Sequence, residues 1–420
     1  MSSSPPARPL WRGRALALVG IVLFAFSLRS AVGSLSPLLD HVTQDFAVPA
    51  PVVGLIGTAP PVCYAVAGLL TPALERRFGL ERLVVAAMAI AVLGLVARSL
   101  AVDSLTLLGS TAIIFAAVGT GNVLLPPLVK KHFPDRIGIM TTIYSTTMAV
   151  STFLPPLVAV PVADAASWRL SLGLWAVFAA VAVIPWIALL VRERGDGGAG
   201  GAGGAGGDED VESANPRVFG RLWRLPLVWA LTVIFVVSGT LAYTSFAWLP
   251  TILVQTAGVS NAQAGTLLSL FAFMGLPASL AVPVLVARYN AIAPLFAVAV
   301  GSGLAGIAGL LLAPSAAPWL WVALLGIGPL FFPLTLVLLG LRSRTHEASV
   351  ALSSFVQSIG YAIVSVFPVS IGLLHDATDG WAAPLWVLAV VVAAAIPAGF
   401  VIARPHTVED EWERRHGAWS

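Results

Sequence analysis

Twelve apolar stretches, each long enough to cross a bilayer as a helix, take up most of this 420-residue chain. The hydrocarbon core of a bilayer is about 30 Å thick, so a spanning helix needs about 20 largely apolar residues. Lipid offers no hydrogen bonds to the backbone, so such stretches must satisfy their own amides and fold as helices. The stretches run over 15–38, 50–73, 81–101, 104–129, 138–163, 168–191, 225–255, 262–287, 291–313, 318–341, 347–374 and 381–403. Composition agrees. Hydrophobic residues make up 58% of the chain and charged residues 10%, where soluble domains carry about 45–50% and about 25%. The single cysteine, Cys63, allows no internal disulfide.

The loops set the orientation. With the N-terminus placed inside, all but three of the 23 Lys and Arg residues fall on the inner side. Arg98 and Arg169 fall outside, and Arg29 lies within a span. Such asymmetry is the positive-inside pattern, and it predicts cytoplasmic termini in a plasma (inner) membrane. It also accounts for the pI of about 9.3 without a nucleic-acid partner. Arg8, Arg12 and Arg14 precede an apolar stretch with no small-residue cleavage site at its end, so the first span reads as retained.

The chain divides in the middle. Gly195 to Gly207 (GDGGAGGAGGAGG) and the acidic DEDVE that follows have the composition of a flexible tether. The expected organisation is a cytoplasmic tail (1–14), a six-helix bundle (15–191), a tether (192–224), a second six-helix bundle (225–403) and a cytoplasmic tail (404–420). The bundles repeat one another. Gly54, Pro72, Arg77 and Phe78 recur as Gly265, Pro283, Arg288 and Tyr289 at an offset of 211, and Pro155 and Trp168 recur as Pro368 and Trp381 at an offset of 213. Two repeats of the same orientation imply a pseudo-two-fold axis along the membrane normal, with a central site between them near the midplane.

Arg29 sits deep in the first span, and no Asp or Glu lies at comparable depth in any other. A charge there costs at least ~2.5–3.5 kcal/mol, so it faces a bundle interior or a water-filled cavity. It either serves packing, tied to backbone carbonyls, or meets an anionic or polar ligand. In Gly119 to Tyr144 (GTGNVLLPPLVKKHFPDRIGIMTTIY), Gly119 and Gly121 permit close helix approach and Asn122 needs a polar partner. Pro126 and Pro127 there are expected to break the helix ladder.

Five strings carry a resemblance. The loop Pro72 to Leu83 (PALERRFGLERL) resembles the cytoplasmic loop motif of the major facilitator superfamily, although Arg76 stands where that motif has Asp and Pro72 where it has its first Gly. GNVLLP followed by FPDR resembles the cyanate and nitroimidazole transporter branch of that superfamily. So do WLPTILVQTAGVSNAQAG from Trp248, ALSSFVQSIGY from Ala351 and GLLHDATDGW from Gly372.

The resemblance implies an all-α membrane protein of twelve transmembrane helices in two pseudo-symmetric six-helix bundles. It also implies alternating-access transport of a small polar or anionic solute. On that basis spans 1, 4, 7 and 10 line the cavity, flanked by 2, 5, 8 and 11. The candidate solute contacts are then Arg29, Asn122, Tyr144, Tyr243, Trp248, Gln357 and Tyr361. Gln357 and Tyr361 lie four apart and share a helix face. Glu75, Arg76, Arg77, Arg82, Asp135, Arg136, Arg342 and Glu347 form the candidate cytoplasmic gate, closing by salt bridges. An exporter of small neutral compounds, or a membrane sensor on a degenerate transporter fold, are the alternatives. No GxxxxGK[ST] loop, metal-ligand cluster or catalytic constellation occurs, so neither cofactor nor enzyme activity is expected. The expected partners are the solute and the lipid bilayer, with the chain acting as a monomer.

Overall fold

The computed structural model describes residues 14–133, 136–196 and 220–419. The N-terminal tail to residue 13, Asp135 and most of the Gly-rich tether lie outside them. The described chain is helical throughout. In order it forms α1 (Ala15–Ser30), α2 (Ala50–Phe78), α3 (Leu80–Ser99), α4 (Ser104–His132), α5 (Ile137–Ala165), α6 (Trp168–Asp196) and α7 (Pro226–Ile252). There follow α8 (Asn261–Tyr289), α9 (Ile292–Leu312), α10 (Pro318–Leu341), α11 (His346–Val364, continuing as Val366–Thr378), α12 (Ala382–Ile402) and a short amphipathic α13 (Val408–His416). Among the described residues eleven helices are long and apolar enough to cross a membrane, and α1, with 16 residues, is a shorter apolar helix beside them.

Local chemistry sets the ends and breaks. Asp103 and Ser260 cap α4 and α8 through their side chains, satisfying amides the helix leaves open. The second bundle's helices break at Met274, Gly328–Leu330, Ser365 and Ala394. Each break ends three residues before a proline: Pro277, Pro333, Pro368 and Pro397. The ring clashes with the preceding turn and removes a donor, so the ladder gives way there.

One expectation needs correction, and one takes a milder form. The first span does not run unbroken to residue 38. α1 ends at Ser30, and the chain resumes as Ser36–Leu38 and Leu39–Thr43. The hydroxyls of Ser30 and Ser34 bond the carbonyls of Ser27 and Ala31 and compete with the ladder. Conversely, α4 passes through Pro126 and Pro127 without a break. The prolines remove only the amides that would bond four residues back, at Asn122 and Val123.

The halves meet along two seams, α2 against α11 and α5 against α8, and the glycines of the repeat lie on them. A Cβ on Gly54 would fall 2.7 Å from Val369 Cα, and one on Gly265 would fall 2.8 Å from the Pro156 carbonyl oxygen. Hydroxyls match as well. Thr58 Oγ1 donates to the Ser365 carbonyl at 2.7 Å, and Ser269 Oγ donates to the Phe153 carbonyl at 2.5 Å. The indoles of Trp168 and Trp381 donate to Asp45 (3.0 Å) and Gln255 (2.6 Å). The offset of 211 thus maps one seam onto the other.

Candidate functional site

A cavity of about 560 Å³ opens between the halves, toward the end of the molecule where the basic residues gather. α1, α2, α4, α10 and α11 line it. Arg29, Asn122, Gln357 and Tyr361 are all on its wall. Arg29 lies deep in the bundle yet keeps part of its surface open to the cavity. Among the described residues its electrostatic neighbours are Tyr64, Tyr243 and Tyr361, with no carboxylate. Three of the chain's five tyrosines therefore surround one guanidinium. Its Cζ sits 5.8 Å from the centre of the Tyr64 ring, within cation–π range. The Tyr64 and Tyr361 rings lie edge to face at 6.2 Å, and Tyr243 and Tyr361 at 6.4 Å.

The backbone positions these groups. Gly121 brings α4 against Leu28 and Phe24 of α1, and Gly119 brings it against Ala67 and the Cys63 carbonyl of α2. Asn122 stands beside the Tyr64 hydroxyl. Because of Pro126 and Pro127, the carbonyls of Asn122 and Val123 lack their helical donors, and both residues line the cavity. On α11, Ser349, Ser353, Gln357 and Tyr361 recur every four residues and form one polar stripe from the cavity mouth to Arg29. The site thus offers a cation, amide groups, hydroxyls and aromatic faces without an acidic side chain. Such a set suits a small anion or a polar planar molecule.

Not every expected contact reaches this cavity. Tyr243 (8% exposed) approaches Arg29 from behind rather than lining the wall. Trp248 lies at the opposite, sealed end, where its indole donates to the Pro368 carbonyl at 2.8 Å and packs on Trp381. Tyr144, on α5, is half-buried against the cluster that also holds Tyr64 and Tyr243, and is not one of the residues that line the cavity. The residues missing from the expectation are Tyr64 and the serines of α11. Extending the four-residue step back from Gln357 would have found Ser353 and Ser349.

At the basic end the described members of the expected gate are spread over several helix ends. Glu75 is half-buried, and burial together with the nearby Glu81 raises its carboxyl above the usual range. Arg77 lies over the Phe78 ring, and Arg82 is exposed. Arg342 is buried and donates to the Ile402 carbonyl at 2.7 Å, so it ties α10 to α12. Arg136 is half-buried at the start of α5. Asp135 and the side chains of Arg76 and Glu347 lie outside the described residues. The ion pairs described at this end stay within one half. Glu81 meets Lys131 and, at 3.3 Å, His132, while Arg344 meets Glu413 at 2.7 Å and Asp410 at 3.6 Å.

The chain matches the family model described as Major Facilitator Superfamily over residues 17–365. It is 30% identical to the 2-nitroimidazole transporter of Escherichia coli (strain K12), over 90% of this chain and 93% of that one. It is also 30% identical to an uncharacterized transporter, YycB, of Bacillus subtilis (strain 168), over 96% of each. It is 25% identical to the cyanate transport protein CynX of Escherichia coli (strain K12), over 87% and 91%. Among solved structures it resembles a bacterial homolog of the human lysosomal transporter Spinster, in an inward-facing and occupied conformation. That match has a TM-score of 0.73 at 13% identity, covering 98% and 99% of the two chains. With two six-helix halves, a cleft between them and this sequence match, the chain belongs to the Major Facilitator Superfamily, and its relatives include cyanate and nitroimidazole transporters.

Proposed function

We propose that this multi-pass membrane protein carries a small anionic or polar solute across the bacterial plasma membrane by alternating access. The observation that carries the reading is Arg29, open to the cavity between the halves and surrounded by tyrosines instead of carboxylates. Asn122, Gln357 and Tyr361 complete the contacts. The basic loops favour cytoplasmic termini, which makes the open end the cytoplasmic one and the structure an inward-open state. Relatives that carry cyanate and 2-nitroimidazole point to solutes of that size. The anion would balance a charge that otherwise stays unpaired at depth.

The test is uptake into cells or proteoliposomes of a panel comprising cyanate, small carboxylates and nitroimidazoles. Arg29→Ala should lower uptake at least tenfold, about 1.4 kcal/mol of lost interaction, while the protein inserts at the normal level. Arg29→Lys should retain part of it, since Lys keeps the charge but not the planar fork. Normal uptake by Arg29→Ala would reject the role.

A further inference from the structure

Beyond Tyr243 from Arg29, a second cavity of about 30 Å³ lies under the sealed end, room for one or two waters or one halide-sized ion. Its wall includes Ser36 after the α1 break, Gly57 of α2, Arg98 of α3, and Tyr243 and Phe246 of α7. Positive-inside counting places Arg98 at the outer end of its span, and its side chain is 1% exposed. Nη1 donates to the Ala31 carbonyl at 3.2 Å and Nη2 to Ser34 Oγ at 2.9 Å. Those two bonds fix the guanidinium against the break in α1 without neutralising it.

Two donors remain. Arg98 Nε and Ser36 Oγ are both buried and have no hydrogen-bond partner among the described residues. No Asp or Glu lines this cavity. A water molecule would satisfy the donors but leave the charge unbalanced, and a buried unpaired charge is costly. A cation would find nothing to hold it. We propose that Arg98 and Ser36 form a second anion subsite, in series with Arg29 across Tyr243, which takes one small monovalent anion when the seams are closed. Tyr243 lines this cavity and contacts Arg29, so it is the partition between the two positions. The place of the subsite on a solute path rests on the proposed transport through Arg29, but its binding chemistry rests on Arg98 and Ser36 alone.

Bromide is the probe. Crystals of the full-length protein grown in sodium bromide locate the ion by its anomalous scattering. The expected result is a peak within hydrogen-bond distance of Arg98 and Ser36 in the wild type, retained in Arg29→Ala. In Ser36→Ala the peak should fall at least threefold. That substitution removes a hydroxyl that holds nothing else in place, so the fold survives it. Absence of bromide at Arg98 in the wild type, or an equal peak in Ser36→Ala, overturns the subsite and leaves Arg98 as a prop for the α1 break. Normal uptake by Arg29→Ala beside an intact Arg98 peak would sink the central site while this one stands.

Discussion

At the residue scale, arginines that look alike in the sequence have separate fates. Arg29 is open to a cavity, Arg98 is sealed against a broken helix, and Arg342 caps the end of a neighbouring helix. Depth along a helix is legible from the sequence, but the direction a side chain faces depends on which neighbour packs beside it. Glycines show the same dependence. Gly54 touches the backbone of Val369, so a side chain there has nowhere to go. Gly54→Leu should overpack the sealed state by about 1–3 kcal/mol, and the seam-open state should gain accordingly. Labelling of a cysteine introduced at Ala247, buried in the seam, should then rise. No rise would mean that this contact does not hold the seam shut.

At the element scale the two seams are chemical copies. Thr58→Ala and Ser269→Ala should each weaken the sealed end by about 0.5–1.5 kcal/mol, the usual net value of one hydrogen bond. Their effects should be similar in size, measured as the shift in accessibility of the Ala247 position. A large difference between the two would show that the halves do not share the closure evenly. The α13 helix staples the second half. Glu409 accepts from the amides of Arg344 (2.9 Å) and Thr345 (3.0 Å), and Glu411 accepts from the Leu227 amide at 3.0 Å. The C-terminal tail thus caps α7 and α11. Glu409→Ala should cost about 1–3 kcal/mol by leaving those donors unmet, visible as a lower melting temperature of the purified protein. The docking should also weaken in acid. The Thr407 amide, with help from Arg344, holds the Asp410 carboxyl below its usual range. Its contribution is present above the ordinary aspartate value and is lost as pH falls through the lowered one. Protease cleavage of the tail should therefore increase only at the acid end of a pH series. Cleavage independent of pH would contradict this account.

For the whole molecule, one end is sealed by small residues and hydroxyls while the other opens around a polar stripe. The halves are joined at the sealed end by backbone contacts that can part without breaking either half. At the open end Glu81 pairs with Lys131 in the first half and Arg344 with Glu413 in the second. A water-soluble maleimide should therefore label Ser353→Cys, but not Ala247→Cys, when native Cys63 is replaced by Ser. Labelling of both, or of Ala247→Cys alone, would mean that this state does not dominate in the membrane. Solute that stabilises the opposite state should protect Ser353→Cys, because a ligand shifts the equilibrium only through unequal affinity for the two states.

The sequence by itself determined the helices and the doubling, and it put one guanidinium at depth with no acid beside it. Apolar length fixes spans because lipid leaves the backbone no other partner. The offset of 211 marks the halves, and one deep guanidinium without a deep acid forecasts a site for negative or polar matter. Asn122, Gln357 and Tyr361 were also readable, since polar groups at that depth need a reason. Only the tertiary structure decided which face each helix turns inward. That choice left Trp248 and Tyr144 off the wall, added Tyr64 and the serines of α11, and buried Arg98, counted on the outer side, against the break in α1. Helical periodicity says which residues share a side, but packing between helices far apart in the chain chooses the side that meets the cavity.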